Sequence, residues 1–184
     1  MYSFAAGGKF APVPDNLKAL VTSGIYDEAV VEESSYNGEV IAVPHMLSNA
    51  GWFYNKQYFE DAGLVDENGD PILPTNMEEV LQTAAKLAKY DQDGNLVNSG
   101  LSLRLTGAAS GTCEKWWVLL MLYGGTLLEK VGDGLYVAGY NNQAGFDTMR
   151  FYLRALYEYG VDNFEVPHDT SAFLAGETAM FARE

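Results

Sequence analysis

The chain has 184 residues, and 48% of them are apolar, which is enough to bury one good core and too many for a disordered chain. Its 25 carboxylates against 11 lysines and arginines give a formal net charge of −14. The basic residues are scattered, so nucleic acid is excluded as a partner, and long-range repulsion of anions tilts any ligand towards a neutral or cationic one. The longest apolar run, Trp116 to Tyr123, is far too short for a bilayer span.

In chain order, the opening Met1-Tyr-Ser-Phe-Ala-Ala-Gly-Gly8 lacks the basic and apolar regions of a signal peptide. Asp15 is placed to cap a short helix through Leu17, Leu20 and Val21, which Gly24 would end. A turn at Tyr36-Asn37-Gly38 feeds a β-rich run from Glu39 to Val43, and Pro44 stops it. Trp52-Phe53-Tyr54 reads as a second strand. Asn55 then caps a helix with Tyr58, Phe59 and Ala62 on its apolar face, closed by Gly63. A polar loop from Asp66 to Pro74 follows. Thr75 and Glu78 have the spacing of a capping box, and the helix behind them carries Val80, Leu81, Ala84, Leu87 and Ala88 on one face.

Asp93-Gly94 marks a turn, and Leu101 to Leu105 alternates like a half-buried strand. Lys115 to Tyr123 is an apolar helix ended by Gly124-Gly125. Asp133-Gly134 suggests a hairpin. Asn142 to Tyr159 is the longest predicted helix, with Phe146, Met149, Leu153 and Leu156 on one face. A short helix around Phe173 and a strand from Thr178 to Phe181 complete the chain. The alternation of strands with helices predicts an α/β fold, with strands near 40–43, 52–54, 101–105 and 178–182.

Catalytic and metal motifs fail on spacing. Gly132-Asp-Gly134 lacks the third glycine of a dinucleotide fingerprint. In Gly107-Ala-Ala-Ser110-Gly111 the serine stands one place late for a nucleophile elbow. Cys113 has no imidazole near it in sequence, and as a lone cysteine it forms no internal disulfide. Asp91, Asp93 and Asn95 begin like a calcium loop, but the glycine comes too early and no glutamate closes it. Two distant histidines suggest no zinc site. Paired carboxylates such as Glu32-Glu33 sit on predicted solvent faces.

The order of segments carries more information. Tyr36-Asn-Gly-Glu-Val-Ile-Ala-Val-Pro44 precedes Gly51-Trp-Phe-Tyr-Asn-Lys56 and Tyr58-Phe-Glu-Asp-Ala-Gly-Leu64. Pro74-Thr-Asn-Met-Glu-Glu-Val-Leu81 and Ala84-Ala-Lys-Leu87 come next. Gly124-Gly-Thr-Leu-Leu128 and Phe173-Leu-Ala-Gly-Glu-Thr-Ala-Met180 end the series. In register across nearly the whole chain, this series resembles the family 1 extracellular solute-binding proteins of bacterial ABC importers, the group of maltose-binding protein.

The resemblance implies a periplasmic-binding-protein-like, two-lobed α/β fold of class II, with a ligand clamped between the lobes. Residues 1–43 would match the end of a first-lobe segment, 44–51 an inter-lobe crossover, and 52–184 most of the second lobe, incomplete at its C-terminus. The chain is thus expected to be a piece of a longer protein whose export signal lies upstream. The implied role is non-catalytic and needs no cofactor: capture of a sugar or oligosaccharide and delivery to membrane permease subunits. The protein would be a monomer, periplasmic, extracellular or lipid-anchored outside the cell. Another small solute such as a polyamine, which the acidity would suit, is the alternative, and a hydrolase using Cys113 is a third reading.

Two stretches are the candidate ligand contacts, both at ends of predicted elements, where α/β folds bind ligands. The crossover offers His45, Met46, Ser48 and Asn49. Ser48 stands where maltose-binding protein has a ligand-contacting carboxylate, so this chain lacks that acidic contact. The start of the apolar helix offers Thr112, Glu114 and Trp116. An indole is a broad surface for the C–H face of a sugar ring, with its N–H as a donor. The resemblance places Trp117 on a core-like position and Trp116 nearer the cleft.

Overall fold

The computed structural model of the chain describes residues 1–46, 50–107 and 109–183. The chain divides into two compact units, Met1–Ser48 and Asn49–Glu184.

The first unit holds α1 (Tyr2–Ala6), α2 (Asp15–Val21), α3 (Glu28–Glu33), β1 (Ser35–Tyr36) and β2 (Glu39–Val40). Asp15 is the first helical residue of α2 rather than its cap, which is Pro14. Asp27 caps α3, accepting the Ala29 N–H at 3.0 Å. The turn between β1 and β2 needs two left-handed residues, and Asn37 (φ 51°) and Gly38 (φ 80°) supply them. The predicted strand from Glu39 to Val43 ends at Val40. The Ile41 and Ala42 N–H groups both turn back to the Ser34 carbonyl, at 2.9 and 3.2 Å, and leave no ladder to continue.

The second unit runs β3 (Gly51–Tyr54), α4 (Lys56–Asp61), α5 (Met77–Leu87), β4 (Lys89–Tyr90), β5 (Leu96–Asn98), α6 (Ala109–Leu122), β6 (Leu128–Gly132), β7 (Leu135–Ala138) and α7 (Gln143–Leu153). A π-helical turn, Arg154–Glu158, extends α7, and α8 (Asp169–Ala175) and β8 (Met180–Arg183) follow. β3 pairs antiparallel with β8, Gly51 opposite Arg183 and Tyr54 opposite Met180. The segment Ser99 to Ser102 lies beside β8 in the parallel sense, bridged at Ser99–Thr178 and Ser102–Phe181.

No continuous strand forms over 101–105, where the alternation predicts one. The Leu103 N–H bonds the buried Asp162 carboxylate at 2.7 Å instead of a neighbouring strand. Arg104 then adopts a left-handed φ of 56°, which takes the chain out of the extended region. Gly100 is required one step earlier. A Cβ there would run into the backbone carbonyl of Ala84 in α5, so only glycine lets the helix lie this close.

Phe59, Leu81, Ala84, Leu87, Leu101, Leu119, Phe151, Ala155, Val161 and Ala179 form the centre of one core. Helices α4, α5, α6 and α7 are thereby packed around the β8 layer. Asn55 caps α4 through Gln57 N–H at 3.1 Å. Ala62, expected on the apolar face of α4, is exposed. The cap of α5 sits one residue later than the Thr75–Glu78 spacing suggests. Asn76 accepts the Glu79 N–H at 3.0 Å, and Glu79 reaches back to the Thr75 N–H and hydroxyl at 2.7 and 2.8 Å. Helix α7 departs from expectation most. Phe151, Tyr152 and Ala155 face the core, whereas Phe146, Met149 and Leu153 are 68%, 49% and 53% exposed. The helix is apolar on two faces, and spacing alone selects the one that stays outside.

Candidate binding groove

The site is built around α6, a helix apolar from Trp116 onward, whose one cation, Lys115, is turned inward and sets its rotation. Lys115 is buried, its ammonium 3.7 Å from the carboxylate of Asp169, which is itself 0% exposed. Arg183 of β8 and His168 approach the same carboxylate at 3.1 and 3.0 Å. Buried charges survive only when paired in this way. Residues on an α-helix step by about 100°, so with Lys115 inward Glu114 and Trp116 flank it while Cys113 and Trp117 turn outward.

The segment before α6 fixes its first turn. The Thr112 hydroxyl donates to the Arg104 carbonyl at 2.9 Å. The Arg104 guanidinium lies against Gly111, where a Cβ would collide with it, and sits 3.8 Å from the Glu114 carboxylate. Helix α7 begins at Asn142, which caps it by accepting the Gly145 N–H at 3.2 Å.

Between α6 and the exposed face of α7 lies a groove of roughly 890 Å3. Thr112, Glu114 and Trp116 all line it, together with Trp117, Tyr140, Met149, Tyr152, Leu153 and Phe164. A second hollow of roughly 600 Å3 shares Trp116, Tyr140, Met149 and Leu153 and adds Phe146 and Arg150. The walls are mainly aromatic and aliphatic, with few polar groups.

Trp116 is half-buried, one edge against the core. Its ring meets Tyr140 edge-to-face, centroids 5.3 Å apart at 88°. Its N–H, expected as a donor to ligand, is directed at the Met149 sulfur at 3.2 Å. Trp117 is not on a core-like position: it is 44% exposed and lines the same groove. The Lys115–Asp169 pair explains the correction, because it takes the inward position and turns Trp117 out.

Of the crossover candidates, His45 and Met46 are exposed in the first unit, and Ser48 and Asn49 lie outside the described residues. Tyr140, Met149 and Tyr152 are groove residues that sequence reasoning did not single out. Only Met149 carried a signal, as part of the apolar stripe of α7. Beneath this region, burial pushes the Asp162 carboxyl up to about 7, against the opposing pull of the Leu103 and Asn163 N–H groups. Burial also raises the Tyr152 phenol, with the Asp162 carboxylate adding to the effect.

Cys113 is exposed and unpaired, and the side chain of Ser110 lies outside the described residues. The Asp91 carboxylate is occupied by the Asp93 and Asn95 N–H groups at 2.9 and 2.8 Å, a polar turn rather than an ion loop. Among the described residues no group of three His, Cys, Asp or Glu is placed to hold a metal, and no helix is long and apolar enough to cross a membrane.

No family model matches the chain, and no curated protein matches it. Solved structures do. UgpB from Mycobacterium tuberculosis, in complex with glycerophosphocholine, superposes over 99% of this chain and 42% of its own, with a TM-score of 0.70 and 19% identity. The GacH receptor of Streptomyces glaucescens, solved unliganded and with acarbose, covers 99% of this chain and 42% of its own at a TM-score of 0.71 and 22% identity. The cyclic alpha-maltosyl-1,6-maltose binding protein from Arthrobacter globiformis covers 98% and 42%, with a TM-score of 0.71 and 23% identity. The fold is that of the two-lobed ABC-transporter solute-binding proteins. The chain spans less than half the length of the solute-binding proteins it matches. The chain is mixed helix and strand, consistent with the presence of one lobe of that fold.

Proposed function

We propose that the protein is the extracellular solute-binding component of an ABC importer and captures a neutral sugar or oligosaccharide for delivery to the permease. The observation that carries the reading is the groove of α6 and α7, where Trp116, Trp117 and Tyr140 present aromatic surface beside Thr112 and Glu114. Sugar rings have apolar C–H faces that stack on indole, and hydroxyls that a carboxylate such as Glu114 accepts from. The fold and the acarbose, maltotriose and maltose held by several of its neighbours support the same reading. His45, Met46, Ser48 and Asn49 are proposed as further ligand contacts on the strength of the family resemblance. The protein acts without cofactor or turnover, as a monomer outside the cell, periplasmic or lipid-anchored.

The neighbour that holds glycerophosphocholine favours a second reading. An aromatic groove edged by Glu114, in a chain of net charge −14, also suits a small cationic or zwitterionic solute such as a choline ester or a polyamine.

Thermal-shift screening of the full-length protein against neutral sugars, polyamines and glycerophosphocholine separates the two readings. A sugar that raises the melting temperature is then titrated calorimetrically into Trp116→Ala. Aromatic contact is worth roughly 0.5–1.5 kcal/mol beyond the area it covers, so affinity is expected to fall on the order of ten-fold or more. Because Trp116 is half-buried, some loss of stability accompanies it. Unchanged affinity with a large loss of stability would show that Trp116 serves only the core. A response to polyamine or glycerophosphocholine and to no sugar moves the assignment to the second reading.

A further inference from the structure

One buried polar atom beside the groove has no hydrogen-bond partner among the described residues. It is the hydroxyl of Tyr152, which lines the groove from α7 with only 7% of its surface exposed. The other donors at this depth are engaged: the Trp116 N–H with the Met149 sulfur, the Thr112 hydroxyl with the Arg104 carbonyl. A buried, unpartnered hydroxyl costs free energy, and native proteins keep few of them without a use. Leu105, Leu153 and Leu156, which line the same groove, carry no hydrogen-bonding side chain, and the nearby Asp162 and Cys113 make no bond to it.

We propose that Tyr152 is a ligand-binding residue whose hydroxyl donates a hydrogen bond to an acceptor oxygen of the solute held against Trp116. The inference rests on the sugar-binding reading and sharpens it: the ligand must carry an acceptor that reaches the apolar depth of the groove. A pocket of this type takes its affinity from apolar contact and its selectivity from a few placed polar groups. The phenol is protonated throughout the neutral range, since burial raises it further from its ordinary value, so it is available as a donor. A ligand lacking that acceptor would leave the hydroxyl buried and unpaired, which is how such sites discriminate.

The test is Tyr152→Phe in the full-length protein, beside Trp116→Ala, with maltotriose and the best neutral sugar of the thermal-shift panel as probes. Tyr152→Phe removes only the hydroxyl. The ligand-free protein is expected to keep or slightly raise its melting temperature, because an unpartnered polar atom is lost. Affinity for the sugar is expected to fall about three- to ten-fold, the worth of one neutral hydrogen bond. A marked drop in the melting temperature of the ligand-free variant would show that the hydroxyl already has a partner within the protein, and would overturn the proposal. Unchanged sugar affinity in Tyr152→Phe, with Trp116→Ala still weakened, would overturn it while leaving the sugar-binding reading intact. If neither substitution alters affinity, or no sugar binds, the groove is not the sugar site and both fall.

Discussion

Asp162 shows how one residue couples burial to pH. Its carboxylate is 3% exposed and accepts the N–H groups of Leu103 and Asn163, yet desolvation outweighs those bonds and lifts its pKa to about 7 from 3.8. A folded-state value above the unfolded one means that the native protein holds a proton the unfolded chain has lost. The associated stability is therefore fully present below about pH 4 and disappears as pH rises through 7. A shift of this size corresponds to a few kcal/mol, on the order of 4. In Asp162→Asn, urea melts between pH 4 and 7 are expected to lose that downward slope, whatever the offset from the altered Leu103 bond. A slope equal to that of the parent protein would assign the pH dependence to another group.

At the scale of elements, α5 and the end of α7 are joined by a charged network. Arg154 in the π-helical turn donates to Glu78 and Glu158, and the Tyr159 hydroxyl bonds Glu78 at 2.8 Å. The Arg154 guanidinium, with the Tyr159 hydroxyl, holds the Glu78 carboxyl down at about 2. The sign is opposite to that of Asp162: this contribution is present above pH 4.5 and is lost as pH falls towards 2. The network is solvent-exposed, so its effect is modest and screened by salt. Arg154→Met is expected to lower the melting temperature at pH 7 and low salt, with the gap from the parent closing as pH approaches 2. A gap that stays constant with pH would mean that the arginine contributes packing alone. The same helix explains why its orientation was illegible. Phe146, Met149, Leu153 and Leu156 make one apolar stripe, Phe151, Tyr152 and Ala155 another, and periodicity does not say which meets the core.

For the molecule as a whole, the division into two units carries a consequence. The core is drawn from Tyr58 to Met180, within the second unit, whereas among the described residues of the first unit Val21 is the buried apolar one. A chain of residues 49–184 is therefore expected to unfold cooperatively on its own, with the slowest amide exchange in α5, α7 and β8. A non-cooperative melt, or uniform fast exchange, would show that residues 1–48 are needed to complete the fold.

Local chemistry decided much of this protein in advance. The caps at Asn55 and Asn142, the Asn37-Gly38 turn, the glycine stops at Gly63 and Gly176 and the strand at Gly51–Tyr54 all depend on residues adjacent in sequence. The order of those segments sufficed to suggest the solute-binding-protein fold. What sequence could not decide were the choices made between distant residues. Asp162 takes the Leu103 N–H and interrupts a strand that alternation predicts. Asp169 draws Lys115 inward and so turns Trp117 out. The packing of α5 against Gly100 and of α7 through its second apolar face leaves Met149 and Leu153 to wall the groove. Each is a competition between partners more than 40 residues apart in the chain, except where glycine makes room, and only the tertiary structure brings those partners within reach.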